Sequence, residues 1–160
     1  MPTHAEKRVV PWSAEQMYAL VADVARYPEF LPWVAAARIR RRTPVDDGEI
    51  MEADLVVSFK VFRERFGSRV HLRPAELAID VDYLDGPFRY LNNHWRFHPL
   101  PDGRCEVDFF VDFEFRSPLL QKVIGVVFNE AMQRIVRAFE ARARALYGPG
   151  AEAGTGSGRA

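Results

Sequence analysis

Between Cys105 and Tyr147 the hydrophobic period of this chain changes once, from two to about 3.6. Cys105, Val107, Phe109, Val111, Phe113 and Phe115 alternate with Glu106, Asp108, Asp112 and Glu114, with Phe110 as the exception. That pattern is a strand with one buried face and one wet face. Ser117 and Pro118 then supply an N-cap and a first helical residue. Leu120, Val123, Ile124, Val127, Phe128, Ala131, Ile135 and Phe139 continue as one stripe to about Tyr147. Roughly 30 residues make a helix about 45 Å long. Only a wide sheet can bury one side of it.

The text before Cys105 supplies that sheet. A first strand runs from His4 to Val10, and further candidates are 34–43, 49–59, 61–73, 76–84, 88–98 and 105–116. The breaks between them are short, which implies antiparallel hairpins. After the first strand, Ser13 and Gln16 form a capping box for a helix carrying Met17, Leu20 and Val21 to about Val24. The segment ARYPEFLPW follows, and its two prolines allow a short helical turn around Pro28 to Leu31. The fold class expected is α+β: two short helices after strand one, then a curved seven-stranded antiparallel sheet wrapped around a long C-terminal helix.

At 160 residues the chain fits one domain, expected over 1–147, with GPGAEAGTGSGRA as a disordered tail over 148–160. Lys plus Arg and Asp plus Glu are both 22, so no global field draws the protein to DNA or to acidic lipid. The single cysteine, Cys105, forms no internal disulfide, which points to a reducing compartment. With no leader and no long apolar run in MPTHAEKRVV, a cytoplasmic location is expected, with peripheral contact at an inner-membrane surface.

One helix need not fill a strongly curved sheet. The inner rows are rich in aromatic residues: Phe59, Phe62, Phe66, Trp95, Phe97, Phe109, Phe113 and Phe128. They suit a packed core and an apolar pocket equally well. Two polar residues interrupt these rows. Asn93 alternates in register with Leu91, Trp95 and Phe97, while Asn92, His94 and Arg96 take the other face. Glu64 and Ser68 share a row with Phe62, Phe66, Val70 and Leu72. Buried amides and carboxylates need partners. Asn93 and Glu64 either satisfy each other and nearby backbone or offer hydrogen bonds to something that enters.

No catalytic constellation emerges. His94 and His98 share a face but stand about 13 Å apart, too far for one metal. Cys105 lacks a CxxC partner, and neither a phosphate loop nor a nucleophile elbow appears. The basic clusters Arg38 to Arg42 and Arg63, Arg65, Arg69 and Arg73 fit cross-strand pairing with acidic neighbours. They also fit anionic headgroups or RNA phosphates. ARYPEFLPW is a plug over one end of the core or an apolar mouth, with Tyr27, Phe30, Leu31 and Trp33 as entrance residues.

Four blocks carry a family resemblance: VADVARYPEFLPWV (21–34), FRERFGSRV (62–70), YLDGPFRYLNNHWRF (83–97) and the segment 111–143. The chain resembles the coenzyme Q-binding protein family, within the START-like polyketide cyclase/dehydrase and lipid-transport superfamily, over about residues 3 to 147. The resemblance implies a helix-grip fold around a hydrophobic tunnel and a non-enzymatic role. It implies ubiquinone or a related polyprenyl quinone as bound ligand, carried in support of respiration or quinone synthesis. The tail would lie along Phe59, Phe62, Trp95, Phe97, Phe109, Phe113, Val127 and Phe128, with Asn93 and Glu64 at the polar head. Trp95→Ala would then lower lipid loading in a folded protein. The same family includes bacterial ribosome-association toxins, so the second reading is a ribosomal-subunit anti-association protein acting through its arginine face.

Overall fold

The computed structural model describes residues 3–59 and 62–150. β1 (Thr3–Val10) leads into α1 (Ala14–Ala22) and a 3-10 turn over Val24–Glu29. Six strands follow: β2 (Val34–Val45), β3 (Gly48–Phe59), β4 (Phe62–Arg73), β5 (Ala78–Asp85), β6 (Phe88–Pro99) and β7 (Cys105–Phe115). α2 (Pro118–Tyr147) ends the fold. The seven strands form one antiparallel sheet in the order β1-β7-β6-β5-β4-β3-β2. Consecutive strands from β2 to β7 are hairpin neighbours, as their short breaks require. β1 closes the far edge by pairing with β7.

The local signals act where the sequence places them. Ser13 Oγ accepts from Gln16 N–H at 3.0 Å, and Gln16 Oε1 accepts from Ser13 N–H at 3.0 Å. Ser117 Oγ accepts from Leu120 N–H at 3.2 Å to cap α2. The turn Asp85-Gly86-Pro87 needs its glycine: φ is +139°, and a Cβ there would stand 2.5 Å from Phe66 Cβ. The helical turn expected around Pro28 to Leu31 lies earlier, at Val24–Glu29. Proline ends rather than starts it, because Pro28 tolerates a place inside a short turn but cannot donate to extend one. The expected break at Lys60 and all but Gly148 to Gly150 of the expected tail fall outside the described residues.

The sheet is filled unevenly, and that unevenness positions the site. α1 packs against β6, β7 and the second half of α2. Trp12, Met17, Leu20, Val21, Met51, Ile79, Phe97, Cys105, Phe139 and Ala143 are buried together there. Trp12 donates its indole N–H to Gly148 O at 2.9 Å, and Tyr147 donates its hydroxyl to Gln16 O at 3.1 Å. Under the first half of α2 the core is smaller, centred on Phe88, Val111, Phe113, Ala131 and Met132. Among the described residues no second helix covers that half. No helix among the described residues is long and apolar enough to cross a membrane.

Candidate functional site: an apolar groove beneath the first half of the long helix

A groove of about 300 Å³ opens between α2 and the tips of β3, β4 and β7. α2 contributes Leu120, Val123, Ile124, Val127, Glu130, Ala131 and Arg134; the sheet side contributes Trp33, Val57, Phe59, Phe62 and Phe115. The volume is at the lower end for small-molecule pockets, and the lining is mostly apolar as such pockets are. Trp33 reaches it from a left-handed backbone, φ 68°, which strains a bulky residue. Its carbonyl accepts from Ser58 N–H at 2.8 Å, and its ring meets Phe59 edge-on at 5.7 Å.

A second, smaller cavity of about 40 Å³ lies under the other half of α2, lined by Trp95, Phe109, Ile135 and Phe139 among others. Glu6, Arg8 and Glu140 stand at its border. Arg8 Nε donates to Glu140 Oε2 at 2.7 Å and Arg8 Nη1 to Glu6 Oε2 at 3.1 Å, while His4 Nε2 lies 2.8 Å from Glu6 Oε1. This chain ties edge strand β1 to α2. Burial pushes the Glu6 carboxyl up, but the hydrogen bonds from His4 and Arg8 outweigh it and hold the group below its ordinary range.

The residues expected along one tunnel are therefore distributed. Phe59, Phe62, Val127 and Trp33 line the groove. Trp95 and Phe109 line the small cavity. Phe66, Phe97, Phe113 and Phe128 pack into the two core clusters that lie beside these spaces. Asn93 is on the inner row but spends its amide internally: its Nδ2 donates to Phe110 O at 2.9 Å, and its Oδ1 accepts from Trp95 Nε1 at 3.1 Å. Glu64 is a correction. It is exposed and outside the groove lining, because the open end of β4 lets the carboxylate stay in water rather than bear the cost of burial. Ser68, by contrast, is 4% exposed and donates to Ala53 O at 3.4 Å.

The entrance segment divides too. Tyr27 and Phe30 meet Phe139 at 5.7 and 5.4 Å, and Leu31 joins the same cluster, so these three close the α1 half of the molecule. Arg142 pins them, 2.8 Å from Glu29 and 5.1 Å above the Phe30 ring. Only Trp33 of the four borders the groove. Sequence reasoning missed Glu130 and Arg134 in the lining. Their signal was present, since 127, 130, 131 and 134 follow i, i+3, i+4, i+7 on one helix face. It also missed His4, Glu6 and Arg8, whose period-two spacing turns all three inward.

Other candidate chemistry is absent from the described residues. No group of three or more His, Cys, Asp and Glu side chains is placed to hold a metal. Cys105 is fully buried, and burial pushes its thiol up to about 11. His94 lies 2.6 Å from Asp80 and stacks on Phe110, the residue that broke the alternation of β7.

A curved antiparallel sheet gripping one long helix over an apolar groove defines a helix-grip, START-like protein. The chain belongs to the polyketide cyclase / dehydrase and lipid transport family, whose model matches residues 10–140. It is 40% identical over 147 residues to the ribosome association toxin RatA of Escherichia coli strain K12, covering 92% of this chain and 90% of that one. It is 35% identical over 148 residues to the mitochondrial coenzyme Q-binding protein COQ10 homolog B of Xenopus laevis, covering 91% of this chain and 59% of that one. Among solved structures, the 18 kDa protein CC1736 from Caulobacter crescentus superposes with a TM-score of 0.77 at 35% identity, over 92% of this chain and 99% of that one. Both curated names describe association or binding rather than catalysis.

Proposed function

We propose that this chain associates with the ribosome, as its bacterial relatives are named for. The observation that supports it is the near whole-length similarity, 92% of this chain and 90% of the Escherichia coli relative at 40% identity. The coenzyme Q relative is matched over 59% of its length at 35%. This order reverses the one that the sequence motifs alone suggested. The outer sheet face offers a physical means. Arg38, Arg41, Arg63 and Arg69 are exposed and carry no ion pair among the described residues. Arg40 and Arg65 share Asp54 at 3.6 and 2.8 Å, and Arg42 pairs with Glu49. A bulge between Ile39 and Arg41 keeps Arg38 and Arg41 opposite Asp54 and Glu52, on the outer row. Unpaired guanidinium groups bind RNA phosphates through charge-assisted hydrogen bonds. The test is sedimentation of ribosomes with added protein. A shift from joined ribosomes to free subunits, lost in Arg38→Glu/Arg41→Glu, is expected. An unchanged profile at stoichiometric excess rules the reading out.

A second reading rests on a separate observation, the groove. It is the binding of an apolar chain, a polyprenyl quinone or related lipid, along Phe59, Phe62 and Val127. Leu119, Val123 and Val126 extend the groove's lip and are exposed at 71%, 39% and 82%. Exposed apolar surface beside a pocket suits transient contact with a lipid surface. Mass spectrometry of an organic extract of gently purified protein tests it. A lipid peak near stoichiometry that disappears in Val127→Trp supports it, and no lipid taken up even on incubation with quinone-loaded vesicles removes it.

A further inference from the structure

We propose that Arg134 anchors the head of an amphiphile whose chain occupies the groove, and that the head is an oxygen acceptor, a carbonyl or a carboxylate. The inference deepens the lipid reading and rests on it. The groove lining contains two charged side chains, Glu130 and Arg134, both on α2 at one end. Asn93 is committed to Trp95 and Phe110, and Glu64 lies outside the lining, so neither of the polar groups first suggested by the sequence serves a ligand there.

Glu130 Oε2 and Arg134 Nη2 form an i,i+4 ion pair at 3.7 Å, too long for a hydrogen bond, and both side chains are more than half exposed, so the pair is weak. Among the described residues the Arg134 guanidinium makes no hydrogen bond, so beside that weak pair its donor fork can turn to a ligand in the groove. That fork matches paired or single oxygen acceptors. An ammonium head would be repelled by it, and a bare hydrocarbon would gain nothing from it. Glu130 keeps the mouth near neutral charge, which admits an uncharged carbonyl as well as a carboxylate.

The direction of the chain follows from the same helix. From Arg134 the apolar lining runs back through Val127, Ile124 and Leu120, flanked by the exposed Val126 and ending beside the exposed Leu119. Arg134 and Leu119 are about 22 Å apart along the axis at 1.5 Å per residue. A volume of about 300 Å³ encloses part of a long chain, and the ridge at Leu119 and Val126 carries the rest.

The experiment is calorimetric titration of the full chain with hexadecanoic acid, a methyl ketone of the same length, hexadecylamine and hexadecane, each delivered from cyclodextrin. The expected result is that Arg134→Gln weakens the acid and the ketone by about tenfold or more, with hexadecane unchanged. Glu130→Gln removes the like charge and the competing partner of Arg134, so it should bind the acid more tightly than wild type does. Equal binding of acid and ketone by Arg134→Gln and wild type overturns the anchor while leaving the groove intact. So does a preference for the amine that is lost in Glu130→Gln, which would move the head to Glu130. If wild type binds none of the four, and the Val127→Trp variant is indistinguishable from it, the lipid reading fails and the anchor with it.

Discussion

Trp95 donates its indole N–H to Oδ1 of Asn93 at 3.1 Å, two residues back on the same face of β6. The amide completes the arrangement by donating to Phe110 O on β7 at 2.9 Å. An asparagine stands in a row of leucine, tryptophan and phenylalanine because the indole beside it needs an acceptor and the neighbouring strand offers one. Replacing Asn93 with leucine would strand the Trp95 N–H in a half-buried site and remove the side-chain bond to the Phe110 carbonyl. The expected cost is about 1–3 kcal/mol of stability. Urea unfolding measures it, and binding of an alkyl probe to the groove should not change.

Trp95 and Val127 were both expected to shape a ligand tunnel, and the structure separates them. The Trp95 ring sits 4.6 Å from Phe109, 5.4 Å from Phe139 and 6.0 Å from Phe97, beside a cavity of about 40 Å³. Trp95→Ala is therefore a core truncation, with a cost of about 3–5 kcal/mol. Val127→Trp projects into the larger groove, which has room for it. It should keep the melting temperature within a few degrees and abolish alkyl-probe uptake. A Val127→Trp protein that is folded and still loads fully would place the ligand elsewhere.

Gly125 lies inside α2, where glycine is unfavourable relative to alanine unless close packing or a bend needs it. In α2 it is exposed, and a Cβ there would meet nothing within 4 Å. No close approach demands it. Gly125→Ala should therefore stabilise the protein by about 0.5–1 kcal/mol, read as a higher urea midpoint at unchanged slope. If the same variant also slows probe uptake several-fold, helix flexibility at Gly125 serves entry to the groove.

The strands, both caps and the long helix were legible because each rests on local patterning. Cys105 to Phe115 alternates cleanly, and Ser13 and Ser117 sit where an N-cap must. The site was harder to read. Period-two alternation puts Phe62, Glu64 and Phe66 on one row, but it cannot say that the row ends in water at Glu64. Nor can it say that α1 fills one half of the concave face and leaves the other open, since that follows from where α1 docks. Tyr27 and Trp33 are six residues apart in one apolar segment, yet one closes the core and the other borders the groove. Arg134 escaped notice because a charged residue on a helix face is usually solvated, and only its neighbours in space give it a role.

The His4–Glu6–Arg8–Glu140 chain makes a pH dependence testable. The ordinary carboxyl value for Glu6 is near 4.5, and the folded protein holds the group lower. A depressed acid contributes stability that is present above its unfolded value and is lost as pH falls through the folded one. The contribution of Glu6 should therefore be complete at neutral pH and shrink below about pH 4.5. Comparing urea midpoints of wild type and Glu6→Gln across that range isolates it. The two curves should lie apart at neutral pH, with wild type the more stable, and converge in acid. Parallel curves would mean that Glu6 gains nothing from its partners. Because Arg8 also holds Glu140, Glu6→Gln should retain the tie between β1 and α2, whereas Arg8→Gln should release both carboxylates and loosen the edge strand. Hydrogen exchange of the β1 amides would read the difference: near wild-type protection in Glu6→Gln and faster exchange in Arg8→Gln.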